Sequence, residues 1–398
     1  MIRRSRGPIG DVIRACWVAA LLLLPGAEFL GSAAGESAEE QAEPSVEDTL
    51  VRSARIASRG LEYLAKNQNE DRSFSVERSE DVTRAPLAVT ALSALAFMAG
   101  GSTMGRGPYR QQVRDAIEYL LDHQVDKPPE GERGGADGAL KYGYFLVESD
   151  STSKMHGHGF ATLAVSQAYG MLGIDASYGD SAGPKAREDL RRMRVALAGA
   201  VRLIERSQSE QGGWYYQPYE NDHEGSMTVL MIQALRAARN VGVDVDKGVI
   251  DRAVKYLDKS QRREDGAFRY HLNSPQVSFA LTAAAVATLN AAGTYDSEVI
   301  DRGIEYMRRH DPLLNPDQWA ADQNFPYYAR LYAAQAYYVY RDQRLWREWH
   351  RRIIRDLENK QNAITGHFGG GQYGSVYATA MSCLVLQIPF QYLPIFQK

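Results

Sequence analysis

Apolar positions recur along this chain in a fixed helical phase. Leu197, Ala200, Val201 and Ile204 stand at i, i+3, i+4 and i+7, and Gln208 closes the run at i+11. The same offsets give Ala57/Gly60/Leu61/Leu64/Gln68, Val113/Ala116/Ile117/Leu120/Gln124 and Ile250/Ala253/Val254/Leu257/Gln261. They also give Ile300/Gly303/Ile304/Met307, with Asp311 in the glutamine place, and His350/Ile353/Ile354/Leu357/Gln361. The opposite face carries charge, as at Arg252, Lys255, Asp258 and Lys259. A one-sided apolar stripe predicts helices on the outside of an assembly. Between these runs, 85–99, 160–172, 226–238, 277–292, 328–340 and 376–388 are apolar or small nearly all round. Helices of that kind are buried on every side. Ala91, Ala94, Ala283, Ala284, Ala285 and Ala333 would let them approach one another closely. Six outer and six inner helices in alternation close into a ring with no need for polar capping repeats. The expected fold is therefore all-α, an (α/α)6 toroid of six helical hairpins with inner and outer helical barrels and a central cavity.

The spacing of the copies is uneven. Stretches 125–156, 177–194 and 312–326 are irregular, the first with a strand-like run at 141–147. Long loops in compact folds tend to carry function, so the working rim is expected there.

The N-terminus has a different pattern. Arg3, Arg4 and Arg6 precede the apolar run from Ala15 to Leu24, then Pro25-Gly26 and small residues up to Ala34. This is the pattern of a secretory signal, and export to the periplasm or beyond is expected. The run is short for a bilayer span, which needs about 20 residues; an uncleaved N-terminal anchor is the other reading. Residues 1–34 are assigned to the signal, 35–48 to a disordered acidic leader and 49–398 to a single toroid domain. Loss of the signal removes four Arg, one Asp and one Glu, taking the formal charge from −3 to −5. Mild acidity without a basic stripe argues against a nucleic-acid partner. Cys16 lies in the signal, so Cys383 has no intrachain disulfide partner and is expected to be a buried, inert thiol.

The spacing Gln208-x-x-x-Gly212-x-Trp214 at the end of a helical run, with blurred copies at Gln68…Phe74, Gly266-Ala-Phe268 and Gly366-His-Phe368, resembles the QW repeats of the terpenoid cyclase and protein prenyltransferase superfamily. The tail from Tyr377 to Phe396 is similar to exported bacterial proteins with prenyltransferase and squalene cyclase repeats. The resemblance covers about residues 50–398 and implies that Gln208, Gly212, Trp214, Phe268 and Phe368 are structural mortar. It also implies two catalytic sets, and this chain lacks both. Squalene-type cyclisation uses an Asp-x-Asp-Asp acid. Asp244-Val-Asp246 is the nearest approach, and Asp246 reads better as a helix N-cap. Prenyltransferases hold zinc with Asp, Cys and His, but Cys383 lies well inside the last inner helix and Ala378 or Tyr377 fills the histidine position. No cofactor is expected.

Polar residues gather before the inner helices: His156 and His158, Asp222-His223-Glu224, His271, Tyr327 and Tyr328, interleaved with Tyr215, Tyr216 and Tyr219. These are the candidate ligand-binding residues. His158, His223 and a carboxylate from Asp222 or Glu224 have donor types suited to zinc or iron, yet no two show ligand spacing on one helix, so no metal is assigned. Asp222, Glu224 and Asp265 are the carboxylates a glycosidase or lyase would draw on. The apolar run 383–396 lacks flanking Lys and Arg. It is expected to finish the last inner helix and plug against the first hairpin, with peripheral membrane contact as the other reading. The function expected is binding of an apolar, isoprenoid-like molecule or a peptide segment in the cavity. A divergent cyclase, prenyltransferase or carbohydrate-active enzyme is the alternative.

Overall fold

The computed structural model describes residues 45–74, 84–125, 142–150, 153–178, 183–293, 297–315, 325–370 and 373–397. The signal at 1–34, most of the leader and the centres of the 125–156 and 312–326 stretches lie outside them. Twelve α-helices are described: α1 (Val46–Lys66), α2 (Pro86–Ala99), α3 (Arg110–Asp122), α4 (Lys154–Tyr178), α5 (Pro184–Arg206), α6 (Gly225–Asn240), α7 (Lys247–Ser260), α8 (Phe279–Ala291), α9 (Glu298–His310), α10 (Pro326–Val339), α11 (Gln343–Lys360) and α12 (Gly374–Gln387). Among the described residues β-pairing is confined to isolated bridges.

The even-numbered helices pack in the order α2, α4, α6, α8, α10 and α12, and α12 returns to α2. They form a closed inner barrel, buried along nearly their whole length. Each odd-numbered helix lies outside, packed most extensively on the inner helix that precedes it; α1, having none, packs on α12. The ring is thus fastened by its first and last helices. Among the described residues no helix is long and apolar enough to cross a membrane.

The glutamine that ends each outer helix has one geometry in all five copies. Its Nε2 donates to the carbonyl of a residue four, five or nineteen positions on: Arg72, Gly143, Gly212, Gly266 or Gly366. It also donates to a carbonyl on the next outer helix: Gln112, Ala196, Val249, Val299 and, across the ring closure, Ile56. Each of these five acceptors immediately precedes the first apolar residue of its helix's stripe. Hence each hairpin grips its neighbour at the same height. The first acceptor residue has positive φ in every copy, +73° at Arg72 and +79° to +93° at the four glycines. That region suits glycine because it has no Cβ.

Asp311 replaces this device in the fifth copy. A carboxylate cannot donate; instead Oδ2 accepts from the indole N–H of Trp349 at 2.8 Å and the Tyr337 hydroxyl at 3.1 Å, while Oδ1 accepts from Leu313 N at 2.8 Å. Trp349 is the residue just before the stripe of α11, so the side chain donates where a carbonyl accepted elsewhere. Burial drives the Asp311 pKa up to about 6 from 3.8 despite these bonds. A carboxyl whose folded pKa exceeds its unfolded one stabilises the fold below the unfolded value, and that contribution is lost as pH rises through the folded one. Relative to Asp311→Asn, the wild type should therefore lose about 3 kcal/mol of unfolding free energy as pH rises from about 3 to about 7, most of it between pH 4 and pH 6. Urea titrations of both proteins across pH 3.5–8 measure this; parallel pH profiles would refute it.

Several boundaries differ from expectation. α1 begins at Val46 rather than within a domain starting at 49, because Ser45 and Asp48 form a capping box, with Asp48 N donating to Ser45 Oγ at 3.0 Å. The last acidic residues of the leader are that helix's first turn. The 177–194 stretch is not a loop rim, since α4 runs on to Tyr178 and α5 starts at Pro184 with proline in its first turn. The described part of the 141–147 run, from 142 on, makes no strand. Phe145 forms a single bridge with Gln124, and Gly143-Tyr144-Phe145 is the missing second copy of the Gly-x-aromatic element. Asp246 caps α7 as expected, accepting from Gly248 N at 2.8 Å. Cys383 is buried and free, its thiol pushed up by desolvation.

After α12 the chain makes two 3-10 turns, Ile388–Phe390 and Pro394–Phe396. The first packs on α10 and α12 and the second on α4, which faces α10 across the barrel. Gln391 bonds the Tyr338 hydroxyl, and Ile395 N donates to Gln167 Oε1 at 3.1 Å. The tail therefore crosses from α12 and α10 to α4. The 383–396 run meets the first hairpin, the place expected for it, through the Gln387 Nε2 bond to the Ala96 carbonyl at 3.0 Å, and reaches on to α4.

Candidate functional site

Strict alternation of outer and inner helices makes all inner helices run one way, so their N-terminal ends share one mouth. Three side chains there mark a lumen. His156 on α4, Tyr328 on α10 and Tyr377 on α12 are enclosed by protein, yet each keeps accessible surface. Lower down, the Tyr332 hydroxyl donates to Gln233 Oε1 at 3.2 Å, and Gln233 Nε2 to Gln335 Oε1 at 3.4 Å. This polar bar joins α6 to α10, which are not neighbours in the ring, across the interior of the barrel.

The walls are aromatic. Tyr328 lies 4.6 Å from Tyr332 between ring centroids, Tyr377 lies 5.1 Å from Tyr373, and Tyr216 lies 6.1 Å from His156 and touches Tyr270 through its hydroxyl. The Tyr328 hydroxyl has no hydrogen-bond partner among the described residues, and burial raises its pKa well above the phenol range. No hydrogen bond to the His156 ring is found among the described residues; desolvation lowers its pKa to about 4, so the imidazole is neutral.

His158 points the other way. Two residues on a helix are about 200° apart. Nδ1 of His158 accepts from Phe145 N at 3.1 Å, and Nε2 faces the Ala200 carbonyl at 3.4 Å. In the other copies a hydroxyl takes the aromatic residue's N–H: Thr90, Thr228, Thr282 and Thr379. His158 fills that structural place, with its pKa lowered to about 3 by burial.

Glu224 is also absorbed by the scaffold. Its carboxylate caps α6, accepting from Met227 N at 2.5 Å and from Ser226 N and Oγ at 2.8 and 2.7 Å. Desolvation outweighs these bonds and raises its pKa to about 7. Asp265 is held outside by Arg262. Asp222, Glu224 and Asp265 therefore do not assemble as a pair across the lumen. Tyr327 donates to the Gly369 carbonyl and lies in the wall.

Asp222, His223 and His271 do come together. The ring centroids of His223 and His271 lie 5.7 Å apart, and His223 Nδ1 is 2.9 Å from the Tyr256 hydroxyl. A chain of rings joins this cluster to the lumen: His271 to Tyr215 at 6.1 Å, Tyr215 to Tyr216 at 4.3 Å, and Tyr216 to His156. Tyr270 meets His271 edge-on at 4.7 Å. Sequence reasoning grouped His223 with His158 and did not place Tyr377 or Tyr270 among the ligand-binding candidates. A tyrosine on an otherwise apolar inner helix was the available signal for Tyr377.

Residues 185–343, from the third hairpin through the fifth, match the family described as the squalene-hopene cyclase C-terminal domain; this is under half of the chain. Among solved structures the chain is similar to an α-1,6-mannanase from Salegentibacter, at 10% identity and TM-score 0.56 over 84% of this chain and 98% of that one. Cellobiose 2-epimerase from Bacillus thermoamylovorans gives 14% and 0.56 over 84% and 98%. A type II terpene cyclase from Scytonema, solved with geranylgeranyl dihydroxybenzoate, gives 13% and 0.51 over 87% and 99%. No curated protein sequence matches. At such identities the solved structures show the fold alone. The chain is an α/α toroid, and its third to fifth hairpins are similar in sequence to the squalene-hopene cyclase C-terminal domain.

Proposed function

We propose that this protein is an exported binder of small molecules that have an apolar, isoprenoid-like body and one hydrogen-bonding head. The observation that supports this most directly is the enclosed aromatic lumen with two polar groups that have no hydrogen-bond partner among the described residues, the Tyr328 hydroxyl and the neutral His156 ring. An apolar body gains by leaving water for the tyrosine faces, and a single head satisfies the polar groups. Binding rather than turnover is favoured because the acid cluster and the zinc triad of the resembled enzymes have no counterpart in the sequence. Glycoside hydrolysis needs two carboxylates flanking the substrate, and two of the three candidates, Glu224 and Asp265, are spent on a helix cap and an ion pair, leaving Asp222 without a second.

Farnesol and geranylgeraniol titrated into the full chain, followed by calorimetry, test the reading. Saturable binding is expected, weakened about 10- to 100-fold in Tyr377→Ala, since removing a buried aromatic contact costs about 1.5–3 kcal/mol. Binding of maltose or cellobiose with no response to either alcohol would replace this reading with the carbohydrate one.

A further inference from the structure

The mouth of the lumen carries a second set of groups that the ligand reading leaves unused. Asp222, His223 and His271 each offer one ligand atom, and these atoms all lie within 4.8 Å of one another. The residues come from two loops, the one leading into α6 and the one leading into α8. Both loops are held by backbone bonds. Glu224 N donates to the Trp214 carbonyl at 2.9 Å, Tyr270 N to Gln276 at 2.9 Å, and Gly225 N to the Tyr270 carbonyl at 2.9 Å. The last of these fastens the two loops together beside the donors themselves.

His223 has the arrangement of a metal-ligating histidine. Its Nδ1 is engaged by the hydroxyl of Tyr256, a fully buried residue, which fixes the ring and leaves Nε2 without a protein partner among the described residues. A partner on the far ring nitrogen is what orients such ligands. His271 makes ring contacts with Tyr270 and Tyr215, and no hydrogen bond to its imidazole is found among the described residues. Zinc bonds of about 2.1 Å set tetrahedral ligands about 3.4 Å apart, so small side-chain rotations would close the set.

We propose that Asp222, His223 and His271 form a three-ligand site for a zinc-like divalent transition metal, with its fourth position open at the entrance to the lumen. Two imidazoles and one carboxylate are donors that zinc accepts and that magnesium or calcium does not favour. A structural zinc site takes four protein ligands, whereas three leave room for water or an oxygen of a bound molecule. None of the three falls on the Cys383 or Ala378 positions compared earlier with the prenyltransferase triad. The site does not depend on what fills the lumen.

The test uses the full chain stripped of metal and titrated with zinc chloride, with no organic ligand present. One equivalent is expected to bind to the wild type. His223→Ala and His271→Ala should each weaken binding by more than about 100-fold, and Tyr256→Phe, which keeps the ring packing, by about 10-fold. His367→Gln, at a histidine outside the cluster, should bind as the wild type does. Cobalt(II) in place of zinc should give a visible absorption band that the two alanine variants lose. No zinc uptake by the wild type, or undiminished uptake by the His223→Ala/His271→Ala double variant with its circular dichroism intact, would overturn the proposal.

Discussion

Trp214→Ala is expected to lower the unfolding free energy by about 3–5 kcal/mol, the range for truncating a fully buried large aromatic. Trp214 is 0% exposed and sits at the corner between α5 and α6. Its indole N–H donates to the Ile204 carbonyl at 2.7 Å and its backbone N–H to Thr228 Oγ1 at 3.3 Å. The indole hydrogen bond is the smaller part of the loss, because the Ile204 carbonyl keeps the Ser207 hydroxyl at 3.1 Å. Most of the cost comes from the cavity, since the backbone around it is tied by the Gln208 bonds to Gly212 and Val249 and cannot collapse inward. Trp214→Phe, which fills most of the space, should lose only about 1–2 kcal/mol. Urea unfolding followed by far-ultraviolet circular dichroism distinguishes the cases. A loss below about 1 kcal/mol in the alanine variant would mean that the ring is not a structural element.

The architecture was legible in the sequence because each hairpin must bury the same stripe, and a stripe at 3.6-residue spacing survives substitution of individual residues. What escaped were features that depend on one copy touching the next. Gly143 and Phe145 belong to the second copy, but the insertion places them nineteen and twenty-one residues after Gln124 rather than four and six. Asp311 in the glutamine place is plain from spacing, whereas its partner Trp349 is thirty-eight residues away and is recognisable only from the contact. For the site, the error was one of helical phase. With α4 starting at Lys154 rather than near 160, both His156 and His158 are helical and must face opposite ways. His271 joins Asp222 and His223 because adjacent hairpins bring their loops together, a relation no local spacing encodes.

Gly266→Ala is expected to cost about 2–5 kcal/mol, although it adds only a methyl group. Two costs add. A φ of +86° puts the Cβ of an L-residue too near the following carbonyl, worth about 1–2 kcal/mol. The new Cβ would also lie 2.2 Å from the Arg302 oxygen and 2.6 Å from its carbonyl carbon. Those atoms are backbone of α9 and cannot rotate aside, so the helix must shift, and overpacking of this kind costs about 1–3 kcal/mol. The shift also pulls on Gln261, whose Nε2 bonds the Gly266 carbonyl at 3.1 Å and the Val299 carbonyl at 2.7 Å. Gly242→Ala separates the two effects. Gly242 has φ +83°, nearly the same strain, with nothing within 4 Å of the added Cβ. That variant should lose only the conformational part, about 1–2 kcal/mol. Equal losses at the two positions, measured by the same urea titration, would show that the repeat glycine is required for its dihedral angle alone. A larger loss at Gly266 assigns it the second role, as the point where one hairpin's backbone meets the next closely enough for the ring to shut.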